Sequence, residues 1–154
     1  MNSIHASCVA FGAVGVLLRG ASGSGKSSLC LRLIDSEGFG LGTAPLRARL
    51  VADDQVLLRR EGNAIVATAP AALAGKLEIR GLGIVDVGHL QQAALGLVVD
   101  LSAGAAIERL PLAQDLQTEI LGLRLPRLLL DGQAPDAAAR LRAALAHFGT
   151  SGHR

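Results

Sequence analysis

The stretch that decides the fold of this chain is residues 17–29, which read LLRGASGSGKSSL. Two leucines end a strand-like segment, a glycine-rich loop follows, and a lysine and two serines open a segment with leucines at helical spacing. Residues 20–27 match the pattern G-x4-G-K-S/T. Glycines in such a loop let backbone N–H groups converge on phosphate oxygens, and the following helix directs its positive end at the same anion. The stretch therefore predicts a strand, a phosphate-binding loop and a helix.

The residues of this loop are candidates for nucleotide binding. Lys26 is expected to reach the β- and γ-phosphates, and the Ser27 hydroxyl is expected to ligate Mg²⁺. A chance match is improbable, because Lys26 and Lys76 are the only lysines of the 154-residue chain and the motif lies between a predicted strand and a predicted helix. The residues expected to bind ATP are Gly20, Ala21, Ser22, Gly23, Ser24, Gly25, Lys26 and Ser27.

Composition restricts the class of partner. The chain is half hydrophobic but only 2% aromatic, with no Trp or Tyr, so it offers no aromatic platform on which single-stranded nucleic acid could stack. The formal net charge of +2 is scattered along the chain, and we expect neither a nucleic-acid nor a membrane surface held by charge. Cys8 and Cys30 are too few for a disulfide framework and are expected to be reduced thiols.

The length predicts one domain over residues 1–154. Residues 9–18, VAFGAVGVLL, resemble the apolar region of a signal peptide, but no basic leader precedes them and they run directly into the glycine loop. No stretch reaches the ~18 uncharged apolar residues of a transmembrane helix. These features predict a soluble cytoplasmic protein.

Hydrophobic patterning predicts an α/β fold with a mixed sheet. Strands are expected at 4–11, 14–19, 49–52, 55–60, 64–68, 76–80, 84–87, 94–101 and 128–130. Helices are expected at 27–34 and 134–148, with Pro135 near the start of the second, where proline is tolerated. Residues 38–48 are expected to form a loop, because they contain several glycines and a proline.

Two carboxylates follow the strand predicted at 49–52, where residues 49–54 read RLVADD. An enzyme with a phosphate-binding loop needs an acidic residue at a neighbouring strand end to hold or orient Mg²⁺. If an alcohol attacks the γ-phosphate, a carboxylate must also accept its proton. Asp53 and Asp54 are candidates for these roles, and an Asp-Asp turn in a solvated loop is the structural alternative.

A second glycine motif lies at residues 77–87, LEIRGLGIVDV. Glu78 and Arg80 are two residues apart, so in a strand their side chains lie on the same face, and a Gly-x-Gly bend follows them. Beside a phosphate-binding loop, Glu78 is a candidate second Mg²⁺ ligand, and Arg80 is a candidate for stabilising charge on the transferred group. An ordinary ion pair between the two side chains is the alternative.

These motifs together resemble the catalytic domain of bacterial HPr kinase/phosphorylase, in a short form that lacks the usual N-terminal domain. The resemblance rests on Ile4-His5, the GxSGxGKS loop, V-A-D-D and EIRGLGIVDV, which follow in this order between residues 4 and about 110. It implies a P-loop kinase domain with an HPr kinase/PEP carboxykinase-like fold. It also implies Mg·ATP-dependent phosphorylation of a serine on HPr or its nitrogen-system paralogue, and in many members the reverse dephosphorylation by inorganic phosphate.

The resemblance also implies roles for individual residues and a homo-oligomer, which is a hexamer in the family. Asp54 matches the catalytic base, and His5, Lys26 and Arg109 match active-site residues. Ser27 and Glu78 match the Mg²⁺ ligands. Taken without the resemblance, His5 would be interpreted as a polar residue at a strand start and Arg109 as a surface arginine.

The chain departs from the family pattern at several positions. Ala21 stands where Asp is common, Ser28 stands where an acidic residue is usual, and the loop containing 38–48 is longer than usual. Residues 124–133, RLPRLLLDGQ, do not reproduce the segment associated with dephosphorylation, so the kinase reaction is the activity we predict. Two alternatives stay open: a catalytically silent, ATP-responsive binding module, and a P-loop kinase that acts on a small alcohol.

Overall fold

A computed structural model of the chain describes residues 2–151, in which eleven strands and two α-helices form. The strands are β1 (Asn2–Ile4), β2 (Ala6–Phe11), β3 (Val14–Arg19), β4 (Arg49–Ala52), β5 (Val56–Glu61), β6 (Ala64–Thr68), β7 (Lys76–Ile79), β8 (Gly83–Asp86), β9 (Gln92–Leu101), β10 (Gln117–Ile120) and β11 (Leu123–Leu130). The helices are α1 (Lys26–Asp35) and α2 (Ala137–Ser151). The predicted mixed α/β class is confirmed.

The larger sheet has β9 at its centre. Its strand order is β1-β5-β6-β9-β3-β2-β4, and β11, which pairs with β10, also joins β9. Strand β9 runs parallel to β3 and β11 and antiparallel to β6. Because parallel strands end at the same edge of a sheet, the loop that follows β3 leaves beside the ends of β9 and β11. Strands β7 and β8 form a separate hairpin.

Apolar side chains cover both faces of this sheet. Val16 and Leu18 of β3 belong to a cluster with Leu29 of α1 and Leu141 of α2, whereas Leu17 belongs to the cluster on the opposite face. This division follows from the alternation of side chains along a strand. Packing of both helices against one face fixes α1, and with it the loop before α1, relative to the strand ends.

A polar network joins the three parallel strands near that edge. Arg19 of β3 donates from Nε and Nη2 to the two carboxylate oxygens of Asp100 at 2.7 and 2.9 Å, and Arg127 of β11 donates from Nε at 2.5 Å. Partial burial raises the pKa of Asp100, but the hydrogen bonds and positive charges of the two arginines outweigh it and hold that pKa below its usual range. The network anchors the residue immediately before the phosphate-binding loop.

Several predicted element boundaries were wrong. The strand expected at 4–11 divides at a bend on His5, and the two parts have different partners, since β1 pairs with β5 while β2 pairs with β3 and β4. The second helix begins at Ala137 rather than at residue 134. Pro135 therefore lies before the helix.

The strand predicted at 128–130 is the end of a longer one. Strand β11 begins at Leu123 and continues through Pro126, and β10, which was not predicted, pairs with its first half. The ladder between β11 and β9 begins at Arg127, so the missing N–H of Pro126 interrupts no bond to β9. In the described part of the chain, neither helix is long and apolar enough to cross a membrane.

Candidate active site

The loop between β3 and α1 has the backbone that anion binding requires. Gly23 and Gly25 adopt φ values of +83° and +101°, which glycine reaches without strain. The first helical hydrogen bond runs from Leu29 N–H to Gly25 O at 2.9 Å, so the N–H groups of the three preceding residues lie outside the helical ladder. These groups and the positive end of the helix are available to bind a phosphate.

Lys26 folds back across the loop to which it belongs. Its Nζ donates to the carbonyl oxygens of Gly20 and Ala21 at 2.6 and 3.1 Å, and the side chain is buried. Burial lowers the pKa of Lys26, and attraction to Asp54 and Asp53 opposes that shift without cancelling it. The ammonium is thereby held at the loop where phosphate oxygens would lie.

Asp53 is a buried carboxylate that orients Ser27. Its Oδ1 accepts hydrogen bonds from the hydroxyls of Ser7 at 2.7 Å and Ser27 at 2.8 Å, and its Oδ2 accepts from the backbone N–H of Glu78 at 3.3 Å. Asp53 is only 4% exposed, and the three donors compensate for the loss of water. Asp53 therefore connects β2, α1 and β7, and it fixes the direction of the Ser27 hydroxyl.

The neighbouring Asp54 has the opposite environment. It adopts a φ of +70°, and a hydrogen bond of 2.8 Å from Gln55 N–H to Asp53 O closes a γ-turn around it. Its side chain is 66% exposed, and its Oδ1 lies 3.2 Å from Nε2 of His5, which occupies the bend between β1 and β2. The tight turn thus directs one carboxylate inward to Ser27 and the next outward to His5.

A cavity of about 660 Å³ brings most of the predicted residues together. Its lining includes His5, Ser22, Gly23, Gly25, Lys26, Ser27, Asp54, Glu78 and Arg80. Glu78 and Arg80 are exposed. Among the ion pairs of the described residues, there is none between Glu78 and Arg80. Both charged groups are therefore free to meet a ligand in the cavity, which argues against the plain ion pair considered above.

The remaining predicted residues lie around the cavity or away from it. The carbonyl groups of Gly20 and Ala21 accept hydrogen bonds from Lys26, and the N–H of Ser24 closes a turn within the loop. Asp53 accepts a hydrogen bond from Ser27 without lining the cavity itself. Arg109 is exposed in the segment between β9 and β10 and is not part of the cavity lining. The structure therefore does not bring Arg109 to the other candidates.

The donor set of the cavity fits Mg²⁺ bound together with a nucleotide. Within residues 2–151, no group of three or more His, Cys, Asp or Glu side chains could hold a metal ion by itself. Mg²⁺ usually keeps several waters and is held by one or two protein oxygens plus substrate phosphates. Ser27 and Glu78, which line the same cavity as the phosphate-binding loop, supply oxygens of the required kind.

Several residues that contact the site were not predicted from the sequence, and three of them donate hydrogen bonds that support it. Ser7 donates to Asp53, Arg32 donates to the backbone carbonyls of Gly132 and Ala134, and Gln133 donates to Gly23 O. A serine in a buried strand was a possible signal for Ser7, since a buried hydroxyl needs a partner. Arg32 and Gln133 belong to no motif, and only tertiary contacts reveal them.

Comparison with known proteins shows the family and the fold of the chain. The family model described as HPr Serine kinase C-terminal domain matches residues 1–140. The chain belongs to this family. The predicted fold is confirmed by the structure titled "Structure of the Hpr(Ser) kinase/phosphatase from Coxiella burnetii", which superposes with a TM-score of 0.79 and 25% sequence identity over 100% of both chains.

Curated relatives carry the name HPr kinase/phosphorylase. The protein of Bordetella pertussis is 38% identical over 128 residues, which is 76% of this chain and 38% of the relative. That of Lactobacillus acidophilus is 43% identical over 90 residues, or 58% of this chain and 25% of the relative. The chain thus spans between a quarter and two fifths of these relatives. Their common name favours neither alternative function raised above.

Proposed function

We propose that this chain transfers the γ-phosphate of ATP to a serine hydroxyl of an HPr-type phosphocarrier protein. The observation that carries the proposal is that the phosphate-binding loop, Lys26 and the His5–Asp54 pair line the same cavity. A binding module needs only the first group, whereas phosphate transfer to an alcohol also needs a proton acceptor facing the same space. The names of the family and its curated relatives support the same activity.

The chemistry assigned to each side chain follows from its surroundings. The loop N–H groups and Lys26 bind phosphate oxygens and counter their charge. The oxygen of the acceptor serine forms a bond to the γ-phosphorus while the bond between that phosphorus and the β–γ bridging oxygen breaks, which leaves ADP. Asp54 takes the proton of the serine hydroxyl, and His5 holds the Asp54 carboxylate in place through the 3.2 Å contact.

Ser27 and Glu78 are the residues that would hold Mg²⁺ beside the phosphates. The ion supplies positive charge to the transferred phosphoryl group when bound. Asp53 orients Ser27 for this role. The Ser27 hydroxyl donates a hydrogen bond to Asp53, which leaves the lone pairs of the Ser27 oxygen free for the ion. Arg80 lines the same cavity and is proposed to stabilise charge on the transferred group.

Several finer features remain predictions. The acceptor is HPr or its nitrogen-system paralogue, the chain assembles as a homo-oligomer, and the protein acts in the cytoplasm. Arg109 stays a predicted active-site residue, although it does not line the cavity.

The test is intact-mass spectrometry of HPr and of its paralogue after incubation with this chain, ATP and Mg²⁺. We expect one added phosphate on one of the two proteins, located on a serine, and none with Lys26→Ala. Lys76→Ala is the matched control, because the Lys76 side chain is 42% exposed and neither Lys76 nor its partner Asp86 lines the cavity. ATP binding without phosphate on either protein would refute the proposal and favour the silent module.

A second variant separates binding from transfer. Asp54→Asn keeps the size of the side chain and removes the proton acceptor, so we expect no phosphate transfer and an affinity for ATP within a few-fold of the unmodified chain. Calorimetric titration with Mg·ATP checks the affinity. Loss of ATP binding in Asp54→Asn would contradict the proposed division of roles.

A further inference from the structure

A turn far away in the sequence contacts the phosphate-binding loop from outside. The side-chain Nε2 of Gln133 donates to Gly23 O at 2.7 Å. On the other side of the same peptide unit, Ser24 N–H donates to Ala21 O at 3.0 Å. Both polar atoms of the peptide that links Gly23 to Ser24 are therefore hydrogen-bonded, which fixes the plane of that peptide.

The backbone of the turn also packs directly against the loop. A Cβ at Gly132 would lie 2.7 Å from Ser24 O, and a Cβ at Gly25 would lie 3.1 Å from Gly132 O. The first distance is shorter than real Cβ contacts allow, so this approach requires glycine at position 132. The contact with Gln133 is thus part of a close backbone interface and is not an isolated surface hydrogen bond.

Arg32 holds the turn in place from the helix that begins at the loop. Its Nη2 donates to Gly132 O at 2.5 Å, and its Nη1 donates to Ala134 O at 3.1 Å. Within the turn, Asp131 Oδ1 accepts from Gln133 N–H at 3.0 Å. The turn is therefore fixed relative to α1 on one side and relative to the glycine-rich loop on the other.

We propose that residues 131–134 are a positioning element for the phosphate-binding loop, with Gln133 as the residue that holds it in the conformation that binds phosphate. The inference rests on the proposed function, because it assumes that the loop binds the phosphates of a nucleotide. A glycine at position 23 permits many backbone conformations, and rotation of the peptide after it would redirect the neighbouring N–H groups away from a common centre. Bonds from outside the loop prevent that rotation before the ligand arrives.

A direct contact between Gln133 and the nucleoside is the competing explanation, because Gln133 also lines the cavity. The two explanations differ in which ligands they affect. Positioning of the loop acts on every ligand with a phosphate chain, including inorganic tripolyphosphate, which has no base or sugar. A nucleoside contact acts on ATP alone.

The test compares Gln133→Met with the unmodified chain in calorimetric titrations with Mg·ATP and with Mg·tripolyphosphate. Methionine keeps the length of the side chain but cannot donate to Gly23 O. We expect the affinities for both ligands to fall by the same factor, about threefold to tenfold, as for the loss of one hydrogen bond. In the transfer assay we expect a raised KM for ATP and a kcat within about twofold, because the reacting groups are unchanged.

Matched variants guard against a general loss of structure. Gln91→Met changes the same residue type at an exposed position outside the cavity and should alter neither affinity. Arg32→Met should lower the affinity for both ligands, as Gln133→Met does. Arg32→Lys keeps one donor group, so its affinity for both ligands should lie between those of Arg32→Met and the unmodified chain. Thermal unfolding of each variant identifies any that fails to fold.

Two results would overturn the inference: unchanged affinity of Gln133→Met for both ligands, or weaker binding of ATP with unchanged binding of tripolyphosphate. Failure of the proposed function has a different signature. In that case the unmodified chain binds Mg·ATP or tripolyphosphate without phosphorylating either carrier protein, and the comparison of affinities can still be made.

Discussion

Asp54 lies in a γ-turn with a φ of +70°, a backbone conformation that residues other than glycine rarely adopt. Left-handed backbone costs a non-glycine residue about 1 to 2 kcal/mol, and such strain persists where the surrounding structure requires it. Here the turn separates two adjacent carboxylates, one buried against Ser27 and one exposed beside His5. Strain at this residue therefore accompanies its proposed function as the proton acceptor.

We predict that Asp54→Gly is more stable than Asp54→Ala by about 1 kcal/mol, although both abolish phosphate transfer. Both variants lose the carboxylate, but only glycine relieves the strain. Urea unfolding of the two variants measures the difference in free energy of unfolding. Equal stability of the two would show that the turn carries no strain.

The network around Asp100 predicts a pH-dependent stability. The pKa of Asp100 lies below its ordinary value of 3.8, so its contribution is fully present above that pH and is lost as the pH falls through the lowered pKa. We expect Asp100→Asn to lower the free energy of unfolding by about 2 kcal/mol at pH 7, because it weakens hydrogen bonds from two arginines. The difference from the unmodified chain should shrink below pH 3.8.

Urea unfolding at pH 7 and near pH 3 checks this expectation. Asp86→Asn is the control, because the Asp86 side chain is 80% exposed and its pairing with Lys76 should contribute little. A difference between Asp100→Asn and the unmodified chain that is the same at both pH values would contradict the role assigned to the network.

At the scale of elements, α2 holds both the end of α1 and the loop that follows it. Arg142 of α2 is 4% exposed, and it donates from Nε to Leu46 O at 2.9 Å and from Nη2 to Ser36 O at 2.7 Å. A Cβ at Gly38 would lie 2.5 Å from Nη1 of Arg142. The loop is therefore packed onto an arginine that also satisfies a carbonyl at the end of α1.

We predict that Arg142→Met lowers the free energy of unfolding by about 2 to 3 kcal/mol, because methionine keeps an apolar stem but leaves buried carbonyl groups without a donor. Arg140→Met is the matched control on the same helix, since Arg140 is exposed and pairs with Asp136 four residues earlier. It should change stability by less than about 0.5 kcal/mol. Chemical denaturation of both variants provides the comparison, and equal effects would argue against this role of Arg142.

At the scale of the whole molecule, ligand binding to the cavity should stabilise the fold. A ligand at 100 times its Kd adds about 2.7 kcal/mol when it binds only the folded chain. For a chain of this size, we expect Mg·ATP to raise Tm by about 5 to 10 °C. The increase should be absent in Lys26→Ala and retained in Lys76→Ala, as measured by thermal unfolding with and without ligand. An equal increase in both variants would place the nucleotide elsewhere.

The sequence by itself determined those features whose residues are contiguous or strictly periodic. The strand, glycine-rich loop and helix at 14–35 are one local unit, so their chemistry and order could be predicted, as could the strands that form β5 and β6. By contrast, β10 was missed and β11 was shortened. Strand β10 (QTEI) is mostly polar and Pro126 suggests a break within β11, whereas pairing with β10 over 123–126 and with β9 over 127–130 maintains the longer strand.

Only the tertiary structure decided which of two adjacent carboxylates supports Ser27 and which faces His5, because that depends on a γ-turn and on burial by β2, α1 and β7. It also placed Gln133 on Gly23, although 110 positions separate them in the sequence. Contacts of this kind arise when packed strands and helices bring distant segments within hydrogen-bond distance. Local propensity and spacing contain no information about that distance, and this is why the supporting residues of the site could not be predicted.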